Sequence, residues 1–405
     1  MKKRTYFFIH QNMPAQFVHL CIYLRDRGHN VVFITRNKVN QIGNTTKVMY
    51  EPSREPKAET HPYMRSLEDG ILHGQAVFRS ITNLLNKGYK PDIVIGHAGW
   101  GETLFVKDVL PNIPVLNYWE FFYKASGQDV GFDPEYPSNL DSLLSLRIKN
   151  SISLLSSAGS DAGFTPTQWQ YSTHPPGMQA KMSVIHEGVD TQAIRPDPQA
   201  VYTTPSGKQL HAGQKIVTYV ARNLEPYRGF HIFMRAIPEI QRRHPDCEIL
   251  IVGKDGVSYG SKLPEGDTYK KRMLAEVSFD ADRVHFTGHL ATPEFRRIMH
   301  VSAAHIYLTY PFVLSWSLLE AMASECLVIG SSTPPVEEVI TDGRNGVLVD
   351  FFDVAGIVDR VDRALSDPES FREMRRLARQ TVVARYDLRS ICLPRQIAFV
   401  DNHLP

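Results

Sequence analysis

Apolar residues recur along this chain in short continuous runs separated by segments of helical spacing. The first run covers residues 6–9. A polar segment, His10-Gln11-Asn12-Met13-Pro14, leads into residues 15–27, where apolar positions return at helical intervals. Gly28 follows Arg25-Asp26-Arg27 as a stop, because glycine accepts the left-handed conformation past a helix end. Val31-Val32-Phe33-Ile34 is the next run. Runs apolar at every position, alternating with helices, mark a parallel sheet covered on both faces. The same grammar returns at 92–95, 115–116, 161–164 and 183–185. A stretch rich in Gly, Asp, Pro and Ser at 125–140 reads as a loop or excursion.

From 191 to 214 the pattern turns polar, with Pro196, Pro198 and Pro205, and reads as a connection. A second α/β series follows, with strands expected at 216–220, 248–252, 284–286, 304–308 and 327–329. Helices are expected between them at 230–244, 268–277, 293–300 and 318–324. Arg372, Arg375, Arg376 and Arg379 make the segment 368–385 a basic helix, expected as a solvated or domain-bridging face. The pattern therefore predicts an α/β protein of two Rossmann-like, doubly wound domains facing a central cleft. These are residues 1–190 and 215–380, with 191–214 between them and a tail, 381–405, packing back on the first domain. Ligands of such sheets bind beyond the carboxyl ends of the strands.

Bulk properties narrow the function. At 405 residues the chain exceeds what one core supports, which agrees with two domains. Its 45 basic and 43 acidic side chains leave a net charge of +2, too small an excess for a nucleic-acid binder. Cys21, Cys247, Cys326 and Cys392 are scattered without metal-ligand spacing and read as buried, reduced thiols of a cytosolic protein. The apolar run after Met1-Lys2-Lys3-Arg4 is too short for a signal peptide, and no stretch is long enough to span a bilayer. The expected location is cytoplasmic, including the inner face of the membrane.

Candidate chemistry concentrates in the second half. Arg222 and Arg228 are expected on the loop between the strand 216–220 and its helix, where helix amides favour anions and guanidinium forks suit phosphate. The plain alternative is that both pair with Glu225 and other surface acids. Further on, Ser315-Trp316-Ser317 turns into a helix with Glu320 expected in its first turn. That carboxylate could take the two hydroxyls of a ribose or simply complement the helix dipole. In the first half, His97 sits just past a strand among Gly96, Gly99 and Gly101. His10, Gln11 and Asn12 are assigned to the cleft wall, and the aromatic cluster 118–123 mostly to core. Asp280-Ala281-Asp282 has the Asp-x-Asp pattern of metal-holding sugar transferases, but reads as an acidic turn between a helix and a strand.

These residues together resemble the retaining family 4 glycosyltransferases of GT-B fold. The family's Arg…Lys-Gly phosphate loop is matched by Arg222…Arg228-Gly229, its Val-Gly turn by Val252-Gly253, and its Phe-x-Gly strand end by Phe286-Thr287-Gly288. Leu318 to Ala323 match the end of the Glu-x7-Glu motif, and Pro335 to Ile340 with Asn345-Gly346 match later segments. Two departures stand out: Arg228 replaces the lysine, and Phe312 replaces the first glutamate. The resemblance implies a retaining transferase that moves a sugar from a nucleoside-diphosphate sugar to a glycan, lipid-linked or small-molecule acceptor, in surface polysaccharide or glycoconjugate synthesis. It implies His97, Arg222 and Arg228 as catalytic, and Gly253, Gly288, Ser315, Trp316, Ser317, Leu319 and Glu320 as donor-binding. His10, Gln11 and Asn12 fall on the acceptor side. No metal or other cofactor, no nucleic acid and a peripheral membrane contact are expected. A sugar-nucleotide epimerase or hydrolase, and a non-catalytic sugar-nucleotide-binding partner protein, are the alternatives.

Overall fold

The apolar runs of the first half pair side by side in a computed structural model that describes residues 2–405; Met1 lies outside them. They are β1 (Thr5–Ile9), β2 (Asn30–Thr35), β3 (Thr46–Met49), β4 (Ile93–His97), β5 (Val115–Tyr118), β6 (Ala162–Thr165) and β7 (Met182–Val184). The seven strands form one sheet in the order β3-β2-β1-β4-β5-β6-β7, with every neighbouring pair parallel.

Alternation explains why the runs are apolar throughout. Tyr6 and Phe8 point with Val31, Phe33, Ile93 and Ile95 into one core. Phe7 and Ile9 point with Val32, Ile34 and Val94 into another on the opposite face. Each fully buried side chain of this size contributes about 1.5–3 kcal/mol. The helix Val18–Asp26 and the C-terminal helix Leu393–Asp401 cover the first core. The long helix Arg65–Asn86 covers the second with Ala76, Val77, Ile81 and Leu84. Neither β3 nor that helix is among the sequence expectations. The apolar spacing from Leu72 to Leu84 is the signal that marks the helix.

The chain divides into two units. The first runs up to Gly188 and includes Arg389–Pro405; the second is Val189–Leu388. In the second, β8 (Val201–Thr203) and β9 (Gln209–His211) form an antiparallel hairpin. Residues 191–214 thus belong to the second unit rather than standing apart as a connection. They are polar because a short hairpin buries only alternate residues such as Tyr202 and Leu210. β10 (Ile216–Asn223), β11 (Glu248–Lys254), β12 (Val284–Gly288), β13 (Ala304–Tyr307), β14 (Val328–Ser331) and β15 (Val347–Val349) follow. They make a six-stranded parallel sheet in the order β12-β11-β10-β13-β14-β15.

The first and last residues of the second unit close on each other: Val189 N–H donates to Tyr386 O and Leu388 N–H to Val189 O, both at 2.8 Å. The basic helix, Arg372–Tyr386, meets its expectation in part: Arg372 and Arg376 are solvated beside Glu369 and Glu373, while the other two arginines turn inward. Arg379 reaches inward to the carbonyls of Thr191, Ile194 and Ala323, and Arg375 to that of Ala303. These side chains staple the second unit internally, because a guanidinium has enough donors to satisfy several backbone carbonyls at once. The four cysteines are buried and free.

Candidate functional site

A doubly wound sheet opens a crevice where the strand order reverses, at the carboxyl ends of the two strands flanking the switch. In the second unit that point lies between β10 and β13. Their trailing loops, 224–229 and 308–315, carry Arg228 and Ser315, and the helix that follows the second carries Trp316, Ser317, Leu319 and Glu320.

Arg222 does not sit on the loop, because β10 continues to Asn223; its side chain is exposed and makes no hydrogen bond or ion pair among the described residues. Arg228 is buried in the short turn Pro226–Arg228. Its Nη1 donates to Thr309 Oγ1 at 2.7 Å and to the Val313 carbonyl at 3.0 Å. Burial disfavours the Arg228 charge, and the Tyr307 and Tyr259 phenols beside it offset that cost. Glu225 pairs with neither arginine. Its carboxylate, fully buried, accepts the backbone N–H groups of Ser258, Tyr259 and Gly260 instead. The second unit therefore holds one fixed and one exposed guanidinium near a sheet switch point, neither in direct contact with a carboxylate, although the Glu225 charge favours that of Arg228 through space.

Gly229 adopts φ +67°, and a Cβ there would stand 2.4 Å from Leu308 Cβ, so the turn into the helix Phe230–Arg243 requires glycine. Gly288, at φ +69°, ends β12. Gly253 lies on β11 with Leu224 packed where its side chain would be, which explains its size by packing alone.

The Ser315 hydroxyl caps the helix Trp316–Ala323 and lies 3.0 Å from the Ser317 hydroxyl. Ser315 N–H is already donated to the Tyr307 hydroxyl at 2.7 Å. Trp316 is exposed and opens the helix, while Leu319 points into the core and has only its backbone to offer a ligand. Because Ser315 is the cap, Glu320 stands in the second turn, not the first, and cannot complement the helix start. It is half-buried, and burial pushes its carboxyl up to about 7, with the Arg296 charge pulling it back. Phe312 is buried among aromatic rings, its ring centre 5.0 Å from that of Tyr259 and 5.5 Å from that of Tyr227. The Asp280 carboxylate accepts from Asp282 N–H at 3.0 Å and from Arg283 Nε at 2.7 Å, as an ion-paired turn. Among the described residues, no three His, Cys, Asp or Glu side chains converge as a metal would need.

In the first unit the switch lies between β1 and β4, and the residues picked there gather at it. His97 stacks on Trp100 with ring centres 4.3 Å apart and lies 4.9 Å from the His10 ring. Gly99 N–H donates to His97 Nδ1 at 3.0 Å, so the neutral ring carries its proton on Nε2. That buried N–H has no hydrogen-bond partner among the described residues; the Glu120 carboxylate stands off at 3.8 Å. Burial, with the neighbouring His10, holds the His97 pKa well below the usual range. His97 is thus a hydrogen-bond donor, not a base. His10 is fixed the same way: Asn12 N–H donates to its Nδ1 at 2.9 Å and its Nε2 meets Gln16 Oε1 at 3.0 Å. Burial pushes its pKa down to about 4.

Sequence reading missed Glu102, which is fully buried beneath this cluster. Its Oε1 accepts from Gln11 N–H at 3.0 Å and Tyr50 O–H at 3.1 Å, and burial raises its carboxyl to about 7. Only the fold brings residues 11, 50 and 102 together. Glu225 and Tyr259 were missed for the same reason.

The family model described as Glycosyl transferase family 4 group matches residues 27–194, and that described as Glycosyl transferases group 1 matches residues 203–381. Glycogen synthase of Mycobacterium tuberculosis is 26% identical over 216 residues, which are 53% of this chain and 47% of that protein. The GDP-mannose-dependent alpha-(1-6)-phosphatidylinositol monomannoside mannosyltransferase of Mycolicibacterium smegmatis is 28% identical over 219 residues, 52% of each chain. The chain spans about half the length of the curated relatives it matches. Among solved structures, Anabaena HepE in complex with UDP and glucose superposes with a TM-score of 0.68 at 15% identity, over 99% of this chain and 100% of that one. Sucrose-phosphate synthase from Thermosynechococcus elongatus gives 0.73 at 15% identity, over 98% and 99%. At such identity the likeness is one of fold.

Proposed function

This chain belongs to the group 1, family 4 glycosyltransferases with a GT-B fold, and on that premise we propose that it transfers a sugar, with retention, from a nucleoside-diphosphate sugar to a glycan, lipid-linked or small-molecule acceptor. The observation that carries the proposal is the buried guanidinium of Arg228, fixed at the sheet switch point by Thr309 and Val313 and held by no carboxylate in direct contact. A fixed cation in a low-dielectric turn suits an anion whose charge grows during reaction.

In the proposed reaction the anomeric carbon–oxygen bond breaks and its electron pair leaves with the nucleoside diphosphate. The acceptor oxygen bonds to the anomeric carbon on the same face and its proton passes to the departing phosphate. Arg228, joined by the exposed Arg222, stabilises the charge left on the diphosphate, so the chemistry needs no metal. Glu320 is assigned to the ribose hydroxyls. His97 is assigned to a substrate oxygen through its unpaired Nε2–H. His10, Gln11 and Asn12 line the acceptor side. We place the reaction in the cytosol or at the inner membrane face; among the described residues no helix is long and apolar enough to cross a membrane.

The test is incubation with a panel of nucleotide sugars, scoring nucleotide release with and without acceptor extract, for the wild type and Arg228→Ala. Acceptor-dependent release that survives excess EDTA and falls at least a hundredfold in the variant is expected. That factor follows from losing about 2.7–4 kcal/mol of transition-state stabilisation with one oxyanion donor. Release indifferent to acceptor would favour the epimerase or hydrolase reading, and activity lost to EDTA and restored by manganese would overturn the arginine mechanism.

A further inference from the structure

We infer that Tyr259 is a further ligand contact of the anion site in the second unit, and that Glu225 is the positioning residue that seats it; the inference rests on the phosphate reading of Arg228. Glu225 is a fully buried carboxylate that makes no hydrogen bond or ion-pair contact with a cation among the described residues; its charge reaches the Arg228 guanidinium only through space. Taking a carboxylate out of water costs several kcal/mol unless hydrogen bonds replace its hydration. Here three backbone amides do so. Ser258 N–H donates to Oε1 at 3.0 Å, and Tyr259 N–H and Gly260 N–H donate to Oε2 at 3.0 and 2.9 Å.

The loop receiving this anchor follows β11 and is tied on either side as well. Asn223 Nδ2 donates to Ser258 Oγ at 2.5 Å, and the Tyr269 hydroxyl donates to the Ser261 carbonyl at 3.0 Å. Four successive residues, 258 to 261, are thus held by side chains from other segments. The approach is close: a Cβ on Gly260 would stand 3.3 Å from Glu225 Oε2. Loops after strands ordinarily exchange such amides with water, so this anchoring fixes whatever side chain the loop carries.

What it carries is Tyr259. The Arg228 guanidinium carbon lies 5.5 Å from the Tyr259 ring centre, and a guanidinium N–H donates to the phenol. Phe312 packs edge-on to the same ring, 5.0 Å between centres, and Tyr227 lies 6.1 Å away. Arg228 Nη1 is spent on Thr309 and Val313, and the Tyr307 phenol shares the guanidinium with that of Tyr259. A phenol oxygen that accepts from a guanidinium keeps its own proton to donate. Half-buried, Tyr259 can give that proton to a phosphate oxygen lying against Arg228. The ligand class this recognises is a diphosphate, free or esterified.

The experiment is calorimetric titration of the full chain with inorganic pyrophosphate, UDP, GDP and ADP. The variants are Arg228→Ala, Tyr259→Phe, Glu225→Gln and the Glu225→Gln, Tyr259→Phe double variant, each with a melting curve. Tyr259→Phe keeps the ring and its packing and should weaken the diphosphates about tenfold or more with an unchanged melting temperature. Glu225→Gln turns an amide N–H toward backbone donors, displaces the loop and should weaken them similarly. The double variant should bind no worse than the weaker single one, because Glu225 acts through Tyr259. Should Glu225→Gln fail to fold, Gly260→Ala is the milder displacement, and its loss should vanish in the Tyr259→Phe background. Binding lost in Arg228→Ala but kept in Tyr259→Phe overturns this inference alone, as do losses that multiply in the double variant. A wild type that binds none of the four ligands, or an Arg228→Ala variant that binds like it, overturns the phosphate reading and this inference with it.

Discussion

Glu320 shows how one residue's surroundings set its chemistry. Were it exposed, its carboxylate would be ionised at any physiological pH. Half-buried on the second turn of its helix, it titrates near 7, because burial penalises the charged form more than the Arg296 charge favours it. If the ionised carboxylate holds the ribose hydroxyls, nucleotide affinity should rise by up to about tenfold per pH unit below 7 and level off above it. Glu320→Gln should flatten that profile and weaken binding by roughly 1.5–3 kcal/mol, the worth of a hydrogen bond to a charged group. Affinity that ignores pH between 5.5 and 8, or a variant that binds like the wild type, would remove Glu320 from the site. The free protein carries the opposite sign. Its folded pKa lies above the ordinary 4.5, so the Glu320 contribution to stability falls as pH rises from 4.5 through 7. His97 acts on stability with the reverse sign: burial holds its pKa well below the ordinary 6.5, so its contribution to stability is lost as pH falls through 6.5 and the unfolded chain takes up the proton.

The elements that place the anion site are β10, the turn after it and the helix Phe230–Arg243. Their junction is Gly229, whose left-handed backbone lets the turn tuck Arg228 inward beneath Leu308. Alanine there would carry about 1–2 kcal/mol of left-handed strain and about 1–3 kcal/mol of overpacking. Gly229→Ala should therefore lower stability measurably in denaturant titration and weaken diphosphate binding beyond what the stability loss explains. Unchanged stability would mean that the turn relaxes elsewhere. The loop after β13 makes a related point. The Val313 carbonyl accepts from Arg228, and Ser315 N–H donates to the Tyr307 hydroxyl. Phe312 fits this arrangement as an aromatic wall rather than a polar substitute.

At the scale of the molecule, the chain leaves its first unit at Gly188 and returns to it at Arg389. The returning segment is structural: Val400 is buried in the first unit's core, with Leu393, Ile397, Phe399 and Leu404 packed against it. The Phe399 ring lies 5.7 Å from that of Phe164 on β6. Truncation after Leu388 should strip several such side chains at about 1.5–3 kcal/mol for each fully buried one. That sum is comparable to a domain's whole stability. Calorimetry should show the first unit melting far lower while the second, whose own closure at Val189 and Leu388 is kept, is little changed. Equal loss in both units would show that the tail does not belong to the first alone.

Local pattern by itself determined the central strands, their parallel pairing and the α/β class, because continuous apolar runs such as 6–9 and 31–34 fit a sheet buried on both faces. The short strands β3, β8, β9 and β15, with few buried positions each, left no such signal. It also determined which arginines, histidines and serines fall at strand ends, since a site at a switch point is written in loops adjacent in sequence to those strands. Tertiary structure alone decided the environments. It made Arg228 buried and Arg222 exposed, and turned Arg375 and Arg379 of the basic helix inward as staples while Arg372 and Arg376 stayed solvated. It placed Leu319 in the core and gave Glu225 to three amides instead of an arginine. The partners of Glu225 lie up to 35 residues away, and Tyr50 and Glu102 meet across 52. Hydrogen bonding and desolvation depend on neighbours in space, and periodicity along a chain carries no record of which distant segments a sheet order will bring together.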